Sequence, residues 1–286
     1  MAGVTAAVGV LPRALMLALG RWLGWLWGAL DQRHLAIARD GLRRSFPDWG
    51  ARRIERTAHA VYAHFGAVLL DILWLSRQRR ERVLGLVDCE GRQHVGAAYG
   101  TGRGILFVTG HIGNWEIHAV QHGWRHEPIG VVARPLDNPA LDRRLCAFRA
   151  RSGNTVIYKR HALAQVLRTI RSGSAVAILI DQNVQAKDGI FVDFFGRPAA
   201  TTTVAAAVAL KTGCVLMTSR TRLMPNGRYL LTYEPPVEFS PSGDRTADVA
   251  RLTQALTRRV ESWVRETPEQ WLWIHRRWKT QPGQGS

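Results

Sequence analysis

Three cysteines in 286 residues, Cys89, Cys146 and Cys214, are too few and too scattered for a disulfide framework or a zinc module. They suit a reducing compartment, the cytosolic side of a membrane. Acids are also scarce: 22 Asp and Glu stand against 39 Lys and Arg, most of them arginine, for a net charge of +17. Such a field favours anionic partners, whether nucleic acid, anionic lipid or an acidic protein. No internal repeat or low-complexity tract is present, and the apolar fraction of 46% is ordinary for a globular chain. Disorder is expected only at the tail QPGQGS (281–286). The length allows one large core with one appended element.

The apolar stretch LPRALMLALGRWLGWLWGAL (11–30) is long enough to cross a bilayer, but it carries Arg13 and Arg21. An arginine near a helix centre costs about 2.5–3.5 kcal/mol on insertion scales. Gly20, Gly24 and Gly28 recur every four residues, a helix-contact spacing, and Trp22, Trp25 and Trp27 suit a membrane–water interface. No small-residue cleavage site precedes a polar start, which argues against a removed leader. Residues 1–32 are therefore expected to form a membrane anchor or interfacial helix, and 33–286 the main globular domain.

Beyond it, helical patterns alternate with short β-branched runs. Residues 33–76 read as helix, broken at FPDWG (46–50). Strands are expected within 83–91, 104–110, 128–134, 154–158 and 174–182, with a pair at 214–223 and 228–236. Further helices are expected at 141–153, 162–173, 201–213 and 246–266. The alternation implies an α/β fold, a single globular domain with a central largely parallel or mixed sheet flanked by helices. Ligands of such sheets bind beyond the strand carboxyl ends. His111, Glu116, Arg134 and Asp181 all follow strand ends and could converge there.

The stretch TGHIGNWE (109–116) places an imidazole and a carboxylate five residues apart after a strand. On a continuous helix those side chains would diverge. Gly113 permits a bend, and Asn114 can cap the helix that follows, with Glu116 in its first turn. A carboxylate beside imidazole fixes the tautomer, leaving the second nitrogen to take a proton from a hydroxyl. His118 and His122 have metal-ligand spacing but lack the glutamate of H-E-x-x-H, so no metal site is expected. No nucleic-acid recognition motif accompanies the basic charge.

GHIGNWE resembles the H-x₄-D/E motif of the lipid A biosynthesis acyltransferases, the lauroyl/myristoyl transferase family of Gram-negative bacteria. RPLDNPALDRRLCAFRARSG (134–153), LIDQN (179–183), FFGRPAATTTVAAAVALKTGC (194–214) and PEQWLWIHRRWKT (268–280) resemble its later blocks, in order. The likeness runs from about residue 10 to the end and implies a glycerolipid-acyltransferase-like fold. It implies His111 as general base with Glu116 as its partner, and functional roles for Arg149 and Asp181. Arg134 and Gln182 match pattern positions, and Asn183 matches none.

The implied reaction moves a fatty acyl chain from acyl-carrier protein to a hydroxyl of a lipid A precursor, late in lipopolysaccharide biosynthesis. It needs no cofactor and no nucleic acid. Substrate contacts fall to Arg134, Arg149, Arg151, Asp181 and Gln182, with Arg149 and Arg151 able to grip precursor phosphates. Backbone amides of the 110–114 turn and an arginine are candidate oxyanion donors. Acidic carrier protein and anionic inner-membrane lipids account for the positive charge, and the implied location is the cytoplasmic face of the cell inner membrane. A related acyltransferase acting on another glycolipid or an aminolipid is the alternative.

Overall fold

The computed structural model describes residues 11–158 and 162–283. Residues 1–10 of the expected anchor and the last three of the expected disordered tail lie outside the described residues. Among the described residues, three helices come first: α1 (Arg13–Leu30), α2 (Gln32–Ser45) and α3 (Ala51–Leu75). The break between α2 and α3 falls at FPDWG, where Pro47 lacks a backbone donor. A short α4 (Arg80–Leu84) leads to β1 (Val87–Glu90) and α5 (Arg92–Gly100).

The α/β body then runs β2 (Ile105–Thr109), α6 (Trp115–Arg125), β3 (Ile129–Ala133), α7 (Pro139–Ala150), β4 (Thr155–Tyr158), α8 (Ala162–Arg171) and β5 (Ala175–Leu179). A two-stranded hairpin follows, β6 (Ile190–Asp193) and β7 (Pro198–Thr201). The chain closes with α9 (Val204–Thr212), β8 (Val215–Leu223), β9 (Tyr229–Pro236) and α10 (Arg245–Glu266).

Seven strands form one sheet in the order β1-β9-β8-β2-β5-β3-β4. Only β8 and β9 pair antiparallel; the other neighbours are parallel. β2 is buried along its whole length and reads ILFVT, apolar on both faces as a central parallel strand requires. Ile105 and Phe107 belong to the core under α6, while Leu106 and Val108 belong to the core on the opposite face. The expected helices and strands are present, with edges moved by a few residues. Three features were not expected: the short α4, α5 and the β6–β7 hairpin. Thr203, at the N-cap of α9, makes no side-chain capping bond.

The glycines of α1 face the protein. A Cβ at Gly24 would lie 2.1 Å from the Tyr62 carbonyl oxygen, and one at Gly20 2.6 Å from Gly66 and Ala67 backbone atoms. The four-residue spacing thus serves contact with α3. Arg13 also turns inward: its guanidinium donates two hydrogen bonds to buried Asp71, at 2.8 and 2.7 Å. The opposite face of α1 is apolar and open, with Leu15 51%, Trp22 57%, Trp27 63% and Leu30 72% exposed. Among the described residues, one helix is long and apolar enough to cross a membrane, Ala51–Leu75, and half of it is buried inside the protein.

Candidate active site

Thr109 on β2 pairs with Leu179 on β5, so His111 and Asp181 each lie two residues beyond the same rung. They meet. His111 Nδ1 lies 2.7 Å from Asp181 Oδ1, and Oδ2 accepts the His111 backbone N–H at 2.6 Å and the Trp271 indole N–H at 2.7 Å. Burial alone would raise the Asp181 pKa, but His111 and these hydrogen bonds hold it down to about 2. Asp181 is therefore a carboxylate at neutral pH. With a proton on Nδ1 facing it, His111 Nε2 is left bare. The Gln182 side-chain amide reaches Nε2 at 3.3 Å, and the imidazole stays 18% exposed.

Glu116 is occupied elsewhere. Its two oxygens accept paired hydrogen bonds from Arg149 Nε and Nη2, at 2.7 and 2.6 Å, with both side chains buried. The expected histidine–glutamate contact is thus replaced by a histidine–aspartate one. The reason is placement: Glu116 sits in the first turn of α6, whose N-cap is Asn114, and there it meets α7 rather than the sheet edge. The pairing also raises the Arg149 pKa, although burial opposes it.

The turn that carries His111 is clamped by the segment after α10. Ile112 bridges Trp271, Gly113 donates to the Gln270 carbonyl at 2.9 Å, and Leu272 donates to the His111 carbonyl at 3.2 Å. Gly113 has φ 61°, and a Cβ there would lie 1.7 Å from the Thr221 carbonyl oxygen. Only glycine fits. The backbone N–H groups of His111, Ile112 and Gly113 all have partners within the protein. This leaves fewer oxyanion donors in the 110–114 turn than expected.

Of the other expected residues, Gln182 joins the site. Arg151 is structural: it donates to the carbonyls of Leu75 and Gln78 and stacks over Trp124 at 5.4 Å. Neither it nor Arg149 is free to grip a phosphate. Arg134 is exposed just beyond β3 and makes no hydrogen bond or ion pair among the described residues. His122 is held between two tyrosines, Tyr233 at Nδ1 (2.8 Å) and Tyr99 at Nε2 (2.9 Å). Both its nitrogens are therefore engaged.

Sequence reasoning missed Trp271 and His275. The His275 Nε2 accepts the Asn183 backbone N–H at 2.8 Å, on the segment that carries Asp181. It also missed a chain of buried polar contacts from Arg13 through Asp71 and the Tyr229 hydroxyl (2.7 Å) to Asn114 (3.0 Å), which ties α1 to the cap of α6. The block PEQWLWIHRRWKT was the available signal for the first two.

A narrow apolar slot runs between α6 and the sheet. It has a volume of only about 20 Å³ and is lined by Phe107, Ala119, Ile129, Val131 and Ala177 together with Trp115, Glu116, His118 and His122. The Trp115 indole meets the His111 ring edge-on at 4.9 Å. An imidazole held this way suits hydroxyl activation, the step on which acyl transfer to an alcohol turns. Residues 1–280 match the family described as bacterial lipid A biosynthesis acyltransferase, and the chain belongs to that family. It is 30% identical to the lipid A biosynthesis lauroyltransferase of Escherichia coli K12, over 98% of this chain and 90% of that one. A lipid A biosynthesis acyltransferase of Haemophilus influenzae is 28% identical, over 95% and 86%. A phosphatidylinositol mannoside acyltransferase of Mycobacterium tuberculosis is 27% identical, over 71% and 62%.

The buried histidines make stability depend on pH. Burial holds His118 and His275 near a pKa of about 4 and His122 well below its ordinary value. The unfolded chain takes up these protons near pH 6.5. Between those values it binds more protons than the folded chain, so stability is full above about pH 6.5 and falls as pH drops toward 4. At pH 5 the loss should be roughly 1–2 kcal/mol per histidine, lowering the melting temperature by about 5 °C or more. Melting followed by circular dichroism at pH 7.5 and pH 5 checks this; equal midpoints would contradict it.

Proposed function

We propose that the protein transfers a fatty acyl chain from an acyl-carrier protein thioester to a hydroxyl of a lipid A precursor, with His111 as general base and Asp181 as the carboxylate that orients it. The observation that carries this is the 2.7 Å contact of Asp181 with Nδ1 while Nε2 remains accessible. The acceptor hydroxyl displaces Gln182 from Nε2 and gives up its proton there. Its oxygen attacks the thioester carbonyl, a C–O bond forms, the C–S bond breaks, and the departing thiolate takes the proton from the imidazolium. Asp181 stabilises that imidazolium through the intervening steps. Gln182 is placed to donate a hydrogen bond to charge developing on the thioester oxygen.

A lipid A precursor is favoured over a mannosylated inositol lipid as acceptor because the matching relatives cover 98% of this chain against 71%. Transfer of labelled acyl chain from acyl-carrier protein to a lipid A precursor, followed by mass spectrometry of the product, tests the reading. No product with that pair, but product with a phosphatidylinositol mannoside acceptor, would replace it with the alternative.

In this reading α1 lies in the surface of the inner membrane on the cytoplasmic side, and residues 33–286 carry the catalysis. The support is the open Leu and Trp face of α1, opposite the glycines that pack on α3. Replacing Trp22 and Trp27 by Glu should weaken binding to phosphatidylglycerol vesicles about tenfold or more, because each ring loses its interfacial burial. Vesicle sedimentation measures this, with circular dichroism to confirm folding. Undiminished binding would remove α1 from the membrane contact.

A further inference from the structure

A second cleft opens on the other side of the catalytic segment. It has a volume of about 500 Å³ and lies between α2, the β6–β7 turn and the C-terminal stretch. Arg44, Arg197, Arg276 and Lys279 line it, against a single carboxylate, Asp40, which is bonded to Arg44 at 2.8 Å. Among the described residues, Arg276 and Lys279 are exposed and form no ion pair. Arg197 lies over the Trp278 ring at 4.1 Å, and its buried Nη1 has no hydrogen-bond partner. Burial and the neighbouring Arg44 both disfavour its charge. Five cations, with Arg277, surround one cavity and repel each other, and a planar guanidinium with an unfilled donor is suited to a phosphate oxygen.

The cleft adjoins the chemistry. His275 is in its wall and also accepts the Asn183 N–H, two residues past Asp181. Arg277, also in the wall, donates to the Gln182 carbonyl and to the Ala200 carbonyl at 2.6 Å, locking the hairpin to the catalytic segment. A headgroup held in the cleft would therefore stand beside His111.

We infer that this cleft is the anion site for the acceptor: Arg197 and Arg276, aided by Lys279, bind a phosphate monoester on the sugar headgroup whose acyl chain presents the reacting hydroxyl. The inference rests on the proposed lipid A precursor as acceptor. It moves the phosphate grip from Arg149 and Arg151, which are committed to the fold, to residues with open donors. Each charge-assisted contact is worth about tenfold or more in affinity.

The test uses the full chain and two probes, the phosphorylated glucosamine disaccharide headgroup and its dephosphorylated counterpart, titrated calorimetrically, with inorganic phosphate as a third. The wild type should bind the phosphorylated headgroup at least tenfold tighter than either other probe. Arg197→Ala should remove most of that preference. So should the exposed pair Arg276→Ala/Lys279→Ala, which keeps the test informative if Arg197→Ala fails to fold. In the transfer assay these variants should raise the acceptor KM about tenfold with much smaller effects on donor KM and kcat. Equal binding of the two headgroups, or a preference that survives in the folded variants, overturns the inference. So does inorganic phosphate binding as tightly as the headgroup. Loss of phosphatidylglycerol vesicle binding with headgroup preference intact also overturns it, by assigning the cations to bilayer phosphate. Headgroup preference without any acyl transfer would leave the cleft standing and sink the proposed reaction.

Discussion

Replacing Asp181 by asparagine should lower the acyl-transfer kcat by about 10³–10⁴ while the chain stays folded. Asp181 accepts three hydrogen bonds, from the His111 and Trp271 N–H groups through Oδ2 and from the imidazole through Oδ1. In the asparagine variant the amide oxygen can keep the first two. The amide NH₂ then faces Nδ1 and donates to it. That arrangement puts the ring proton on Nε2, where the acceptor hydroxyl needs a lone pair. His111→Ala should be at least as damaging, because no other side chain reaches the same place. Both variants are read by single-turnover transfer of labelled acyl chain, with circular dichroism to exclude unfolding. Near wild-type transfer by either would remove the histidine–aspartate pair from the mechanism.

The second large effect concerns stability. Glu116→Ala leaves the Arg149 guanidinium buried without its counter-charge, and breaking a buried ion pair in this way costs about 3–5 kcal/mol. For a chain of this length that is a drop in melting temperature of roughly 5–8 °C. Arg149→Lys should lose part of the same stability, since an ammonium cannot reproduce the two-pronged contact. Replacing both partners with apolar residues, Glu116→Leu with Arg149→Met, should recover much of the loss, because no buried charge then remains. Thermal melts of the four proteins check this. A Glu116→Ala variant with an unchanged melt would mean the pair contributes nothing to the fold.

Most of the sheet could be read from the chain because its strands are short β-branched runs bounded by glycine, and its helices end at Gly153, Gly173 and Gly213, each with positive φ. The β6–β7 hairpin was missed because Ile190–Asp193 was given no reading and Pro198–Thr201 was read only as part of a family block and the start of a helix. The site was half legible. His111, Asp181 and Gln182 follow buried strands, so their place at the carboxyl edge could be inferred. Their pairing could not. His111 and Asp181 are 70 residues apart and meet only because β2 and β5 are sheet neighbours, which chain order does not give. Glu116 is near His111 in the chain, and that nearness suggested a contact that the geometry of α6 gives to Arg149. Arg13 looked like a burden on a membrane segment because its partner, Asp71, is two helices away.

The most direct measurement is a pair of double-mutant cycles on kcat/KM, one joining His111→Ala with Asp181→Asn, the other joining His111→Ala with Glu116→Gln. If Asp181 acts only through His111, the first double variant should be no slower than His111→Ala alone, a coupling that cancels nearly the whole effect of Asp181→Asn. The second should show a further loss equal to that of Glu116→Gln by itself, because Glu116 acts through Arg149 and the fold. The reverse pattern, full coupling of His111 with Glu116 and additivity with Asp181, would contradict the assignment of Asp181 as the carboxylate that orients the base.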